Sequence, residues 1–377
     1  MAPLMVINMT VKRTENTKES IVDLGKDVLG QLKKVQNPNI SLPVRALSNI
    51  KFDEKNKLII LGDKMSQRTY MNIAHTRKFM QTLMVAAECK KLLSETENTT
   101  TSIRDLYYIL KRTIPGTTEN TFEEQSESDP IIEDLEAALS TLRENLHLHA
   151  DQKGSLVGPI VIEEPKFGSE TDCMKLGASG FGIPSICEPD TVKLKSTTAD
   201  FVLVVEKDAV WQRLNEDRFW KNHNCIVITG KGQPDRGTRR MINRLNAELK
   251  LPVYVLTDAD VWGYYIYSVI KQGSINLSFV SDRLGTPEAR FIGLTTQDVV
   301  KFDIPKNVTI KLNEGDKKRA AEMLNYRWFR PKEWHHEINH MLKVGHKLEL
   351  EALSAKNIRF ITEKYLPEKI KKKDFLP

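Results

Sequence analysis

Paired cysteines, long apolar runs and nucleotide-binding loops are what this sequence lacks. Its four cysteines, Cys89, Cys173, Cys187 and Cys225, lie scattered through 377 residues with no CxxC pair. That excludes a cysteine-rich zinc module and suits a reduced, cytoplasmic setting. No apolar run approaches the ~20 residues of a membrane span, so no membrane association is expected. Met1 to Asn8 is apolar but too short for a signal peptide, and no small-residue cleavage pattern follows it. Neither a Walker A ending nor GxGxxG occurs, so ATPase activity is not written in the chain. The net charge of +6 is mild and does not by itself establish a polyanionic partner.

What is present suffices for two or three soluble domains with real cores. Residues 1 to about 45 are polar and weakly patterned, the composition of an arm or a partner-contacting extension. Ile50–Phe52 and Lys57–Leu61 flank the turn Asp53-Glu54-Lys55-Asn56 and predict a hairpin. Helical spacing follows over Ala74–Leu93, with Phe79 and Leu83 on one side, and again over Ser102–Arg112. Asp129-Pro130 predicts an N-cap with proline in the first turn of a helix reaching Leu146. A hairpin is then expected around Gly154, Gly158 and Pro159–Ile162. Three helices and a hairpin are the plan of a winged helix, a common DNA-binding module that also mediates protein contacts.

From Ala199 onward strands alternate with helices. Strands are predicted at Phe201–Val205, Cys225–Thr229, Val253–Thr257, Ile275–Val280 and Arg290–Leu294. Helices are expected over Asp208–Trp220, Arg236–Leu249 and Trp262–Lys271. Such alternation implies a mostly parallel sheet covered by helices. The last ~60 residues read as helical over Asp316–Leu324, Pro331–Ala355 and Ile358–Ile370, with a solvated basic run at Lys369–Lys373. The expected division is an arm and hairpin over 1–69, a winged-helix domain over 70–160 and an α/β domain with C-terminal helices over 161–377.

Chemistry concentrates at two strand ends. Val253–Thr257 runs into Asp258 and Asp260, and alternate side chains of an extended segment share one face. Phe201–Val205 runs into Glu206. Three carboxylates at one sheet edge describe a seat for a hard divalent cation such as Mg2+. The plainer alternative is that these acids cap the helices that follow, and spacing leaves both open.

On the second predicted helix, Arg104 precedes Tyr107 and Tyr108 by one turn. A phenol with a pKa near ~10 is a poor nucleophile until a cation or base helps it, and guanidinium also holds phosphate. The alternative is that one tyrosine packs in the core and Arg104 pairs with Asp105 or solvent. Gly230–Arg240 links a strand to a helix with glycines and with Arg236, Arg239 and Arg240, a setting that favours phosphate. His336-Glu337-Ile338-Asn339-His340 matches a zinc-protease pattern, but no downstream third ligand supports it; an amphipathic helix is the better account.

These pieces occur together, in this order, in one family. A tyrosine on a winged helix is followed by Val204-Val205-Glu206-Lys207, by Gly232-x-Pro234-Asp235-x-x-Thr238-Arg239, and by Thr257-Asp258-Ala259-Asp260. The chain resembles the A subunits of archaeal DNA topoisomerase VI, relatives of the eukaryotic meiotic double-strand-break transesterase. The likeness runs from about Lys57 to the C-terminus, including Ile266–Ser274. It implies a catabolite-activator-like winged helix followed by a Toprim domain. It places the nucleophile at Tyr108 with Arg104 beside it, and Mg2+ at Glu206, Asp258 and Asp260. Lys207 and the arginines after Pro234 would lie near DNA phosphates. It also implies double-stranded DNA as substrate, a homodimer, and a GHKL-type B subunit that binds ATP, together A2B2, in the nucleoid-associated cytoplasm. Val261 stands where relatives usually carry proline, which touches only local rigidity. The competing expectations are a break-forming transesterase without relaxation activity, a Toprim nuclease without a covalent tyrosine, and a non-catalytic DNA-binding module.

Overall fold

The computed structural model describes residues 7–95 and 99–377, so the apolar start at Met1–Val6 lies outside the described residues. The chain divides into two compact units. The first takes the chain up to Lys51, Leu61–Asp151 and Ile275–Phe279.

In place of the expected arm it opens with the 27-residue helix α1 (Ile7–Lys33). Ile21 and Val28 are buried and Leu24 packs beside them. That i, i+3, i+7 stripe is narrow and set among polar residues, which is why the composition hides it. Strands Asn39–Pro43 and Met65–Thr69 pair antiparallel, and Ile40 and Leu42 point inward. Helices α2 (Ile73–Leu92), α3 (Ile103–Leu110) and α4 (Gln125–Leu139) close the core around Val85, Cys89, Leu106, Leu110, Phe122 and Leu135. Pro130, expected to open α4, lies inside it. The helix stops at Leu139 because Ser140 turns left-handed at φ 49°, and Arg143–Leu146 is a separate 3-10 turn. The hairpin of Ile50–Asp53 and Leu58–Leu61 forms as expected.

The second unit is centred on a six-stranded sheet of β1 (Ser155–Val157), β2 (Phe181–Gly182), β3 (Phe201–Val205), β4 (Cys225–Thr229), β5 (Val253–Leu256) and β6 (Arg290–Gly293), in the order β2-β1-β4-β3-β5-β6. The pairings β4–β3, β3–β5 and β5–β6 are parallel, and the other two antiparallel. Every residue of β3 and β4 is buried, as expected for strands covered on both faces. Helices α5 (Asp208–Glu216), α6 (Arg236–Leu249) and α7 (Val261–Gln272) follow β3, β4 and β5.

Two expected strands fare differently. Ile275–Val280 makes only a 3-10 turn at Ser278–Val280, and β5 is bordered by β3 and β6. The wing-like hairpin around 154–162 does not form either. Ser155–Val157 pairs with β4 instead, while Ile160–Glu164 joins a separate sheet with Ser169–Asp172 and Lys193–Thr197. Gly158 between them has φ 136°, and a Cβ there would lie 2.5 Å from the Cys225 carbonyl oxygen. The chain therefore passes close beneath β4 rather than folding back on itself.

Helix α8 (Glu314–Leu324) starts on an Asn313/Asp316 capping box. Helix α9 (Lys332–Val344) ends at Gly345, φ 72°, well short of Ala355. The last helix, α10 (Leu366–Lys372), carries Lys369 inward, where it pairs with Asp298 and Asp374 at 3.5 and 3.1 Å. One lysine of the basic run is therefore a core residue rather than a solvated one.

Candidate active site

Helix α3 is short but well anchored. Ser102 caps it, its Oγ accepting from the Asp105 amide at 2.9 Å and donating to Asp105 Oδ2 at 2.8 Å, a cap worth about 1 kcal/mol. Leu106, Tyr107 and Leu110 form its buried face. Tyr107 Oη donates to the Glu123 carbonyl at 2.7 Å and accepts from Lys111 Nζ at 3.0 Å. Tyr108 points the other way and is 64% exposed. Its ring lies 5.0 Å from that of Tyr107. One tyrosine is thus a core residue and the other is available. Arg104 is exposed and forms no ion pair among the described residues, with Asp105 or otherwise. Lys111, three residues past Tyr108, is a cation the sequence reasoning missed; its i+4 spacing from Tyr107 was the available signal.

Parallel pairing of β3 and β5, with Val205 opposite Leu256, brings Glu206 and Asp258 to one sheet edge. The Asp258 amide donates to Glu206 Oε2 at 3.0 Å. Asp258 Oδ1 accepts from the Leu350 amide at 2.8 Å, and Oδ2 lies 3.0 Å from Lys207 Nζ. Asp260 follows the capping alternative: its Oδ1 accepts from the Trp262 and Gly263 amides at 3.0 and 2.7 Å and starts α7. Gly263 is needed there, since a Cβ would collide with the Asp258 carbonyl oxygen. Val261, in the place of the usual proline, is fully buried.

The electrostatics of this edge are strained. Burial pushes Glu206 up to about 7, and the charge of Asp258 adds to it. Burial raises Asp258 to about 6 although the Leu350 amide and Lys207 pull it back. Asp260 is raised as well, again chiefly by burial. Lys207 sits among Asp258, Glu349 and Glu351, its Nζ 2.6 Å from Glu351 Oε2. Burial works against its charge, but the Glu351 hydrogen bond and Asp258 hold it above the usual lysine range. Glu349 and Glu351 come from a distant segment, which no local pattern around Glu206 announces.

Among the described residues no three acid, histidine or cysteine side chains converge as a ready set of metal ligands. Glu206 and Asp258 are in contact, Asp260 is turned to its helix, and Lys207 supplies the positive charge. The donors are hard carboxylate oxygens without thiol or imidazole, which fits Mg2+ better than a softer metal. Two largely buried carboxylates, both raised by burial, Glu206 further by Asp258 and Asp258 by Asp260, are the surroundings a divalent cation would relieve.

The three candidate arginines are not equivalent. Asp235 caps α6 by accepting from the Thr238 amide at 3.1 Å. Arg236 lies half-buried in the first turn. Arg239 is 3% exposed, and burial followed by Arg236 pulls it down to about 9. Arg240 holds Glu188 through two contacts of 3.1 Å. The geometry therefore commits Arg240 and Lys207 to carboxylates; Arg236 is half-buried and has a partner of its own, and Lys231 is exposed.

The zinc-protease pattern on α9 has a structural use. Glu337 is fully buried and accepts from Tyr264 Oη at 2.7 Å and from the Thr296 amide and hydroxyl at 2.6 and 2.8 Å. His340 Nδ1 meets the same Thr296 hydroxyl at 2.7 Å. With its oxygens so engaged, Glu337 has no water-facing edge from which to act as a base.

Residues 201–370 match the Toprim-domain family of Spo11 and the topoisomerase 6 A subunit, and residues 77–148 match the family described as type IIB DNA topoisomerase. The A subunit of the type 2 DNA topoisomerase 6 of Pyrococcus horikoshii is 44% identical over 369 residues, covering 95% of each chain. That of Pyrococcus abyssi is 45% identical over the same length and coverage. The Hyperthermus butylicus protein is 45% identical over 367 residues, 93% of each chain. No helix among the described residues is long and apolar enough to cross a membrane.

Proposed function

The chain belongs to the topoisomerase VI A-subunit family, and from that premise we propose that it is the DNA-cleaving and rejoining subunit of a type IIB topoisomerase. The observation that carries the reading is the division of labour on α3, where Tyr107 is used by the fold and Tyr108 is free to react. The helical unit offers Tyr108 on α3 to double-stranded DNA, in the place that the resemblance gives to a winged helix.

Tyr108 Oη attacks a backbone phosphorus as its phenolic proton leaves. The bond from phosphorus to the 3′ oxygen breaks, and that oxygen takes up a proton. One phosphate ester replaces another, a 5′-phosphotyrosyl link beside a free 3′-hydroxyl, so rejoining is the reverse step and needs no nucleotide. Arg104 neutralises charge on the phosphate oxygens. Glu206, Asp258 and Asp260 would hold Mg2+, which when bound positions the scissile phosphate and stabilises its developing charge. Lys207 holds Asp258 and is the group that yields when the edge takes up a cation. Arg236 and Lys231 meet flanking phosphates, with Arg239 adding positive charge from beneath. A double-strand break requires two such centres, so two copies act together, the tyrosine of one against the acidic edge of the other. ATP is bound by a GHKL-type B subunit in an A2B2 assembly, and drives strand passage.

Denaturant trapping with the B subunit, Mg2+ and end-labelled duplex tests this. Protein attached to 5′ ends is expected with the wild-type chain and lost in Tyr108→Phe. Cleavage that survives the substitution favours the nuclease reading, and cleavage without ATP-dependent relaxation favours the break-forming one.

A further inference from the structure

The first turn of α7 carries Trp262, two residues past Asp260. Of the five tryptophans, Trp211, Trp220, Trp328 and Trp334 are buried, whereas Trp262 is 56% exposed. Its amide donates to Asp260 Oδ1 at 3.0 Å, so the backbone that carries the indole is anchored at the acidic edge. Arg319 of α8 lies 5.7 Å from the indole centroid and 4.7 Å from that of Tyr265, and its Nη1 donates to Tyr326 Oη at 3.0 Å. A guanidinium over an aromatic face orders both groups. No protein group among the described residues takes the indole N–H.

The surroundings carry two guanidinium groups, Arg319 partly exposed and Arg239 buried. Arg319 has one partial carboxylate partner, Glu322 at 3.3 Å, and its buried Nε has none. Arg239 has Nε and Nη2 without partners. Burial raises the Tyr265 phenol, and the charges of Arg319 and Arg239 both pull against it, so the two arginines share one neighbourhood. A flat, exposed indole face beside the partly exposed guanidinium of Arg319 suits a nucleotide, whose base stacks and whose phosphate is held.

We propose that Trp262 and Arg319 form a clamp for the nucleotide beside the scissile phosphate, the indole stacking on the base face that cleavage uncovers and Arg319 holding the adjoining phosphate. The proposal rests on the cleavage reading given above and adds a positioning role within it. In intact duplex that base face is covered by its neighbour. Once the backbone is cut the neighbour can part, and the indole replaces the lost stacking. Trp262 therefore favours the cleaved state over the resealed one, and biases cleavage toward sites whose flanking base stacks well.

The test compares wild type, Trp262→Ala, Trp262→Phe and Arg319→Gln, each with the B subunit, Mg2+ and a mixed-sequence labelled duplex. Trapped 5′ adduct should fall about ten-fold in Trp262→Ala, the scale of one lost base–aromatic stack, and recover in Trp262→Phe. The base preference beside the cut should flatten in Trp262→Ala and return in Trp262→Phe. Because Trp262 is the exposed tryptophan, acrylamide quenching of Tyr108→Phe protein should be protected by nicked duplex more than by intact duplex. Unchanged adduct level and site preference in Trp262→Ala, beside a wild-type adduct, overturn the clamp alone. Absence of any wild-type adduct overturns the cleavage reading and the clamp with it. Protection of Trp262 by the B subunit without DNA assigns the face to a protein contact and also overturns the proposal.

Discussion

Tyr108 holds its phenol in water, while Glu206 is half-buried and Asp258 buried at the end of a buried sheet. On α3 the neighbouring Tyr107 makes the core contacts and hydrogen bonds, and Tyr108 contributes a ring contact with it at 5.0 Å. At the acidic edge the same side chains are at once buried, mutually repelling and held by backbone amides. The first region separates chemistry from stability, and the second sets one against the other.

The largest expected effect tests that separation. Tyr108→Phe should cut trapped 5′ adduct by at least about a thousand-fold, since it removes the proposed nucleophilic oxygen. It should leave unfolding free energy within about 0.5 kcal/mol of wild type, as for an ordinary surface change. Tyr107→Phe should do the opposite, costing about 1 kcal/mol through the lost Glu123 hydrogen bond while keeping the adduct. An adduct formed by Tyr108→Phe but lost in Tyr107→Phe would reverse the two roles.

The acidic edge predicts a trade-off. Glu206 titrates near 4.5 when unfolded and at about 7 in the fold. The native state therefore binds the extra proton between those values, and stability falls as pH rises through that window. Asp258, raised from 3.8 to about 6, acts in the same direction. Glu206→Gln keeps an oxygen for the Asp258 amide and removes the charge. It should stabilise the fold at pH 8 by up to about 3 kcal/mol, vanishing near pH 4.5, while abolishing cleavage. Mg2+ should raise the wild-type Tm at pH 8 and leave that of Glu206→Gln nearly unmoved. Equal Mg2+ shifts in both proteins would remove Glu206 from the metal site.

This contrast also explains what the sequence made legible. Strands such as Phe201–Val205 are continuous apolar runs ending in acids, so the strand and the acid at its end can be read locally. The identity of the free tyrosine is not local, because it depends on a carbonyl at Glu123 reaching Tyr107. Glu349 and Glu351 around Lys207 are likewise brought from a distant segment. Two local signals misled. Pro130 looked like a helix start but sits within α4, and the turn at Gly158 looked like a wing but hands the chain from one sheet to another. The stripe of α1 was too thin to separate from a polar arm.

The smallest effect concerns the arginines, and again sets an open side chain against a committed one. Arg104 is exposed and has no ion-pair partner among the described residues, whereas Arg240 holds Glu188. If Arg104 meets phosphate, Arg104→Ala should weaken DNA binding at all sequences and reduce the salt slope by about one. Arg240→Ala should leave that slope unchanged. Its cost should be on the order of 1 kcal/mol of stability, because Glu188 keeps a second partner in Arg283 at 2.6 Å. Salt titrations of binding beside denaturant melts separate the outcomes. A slope reduced by Arg240→Ala and not by Arg104→Ala would mean that the Glu188 pair opens on DNA and that α3 presents its tyrosine without its arginine.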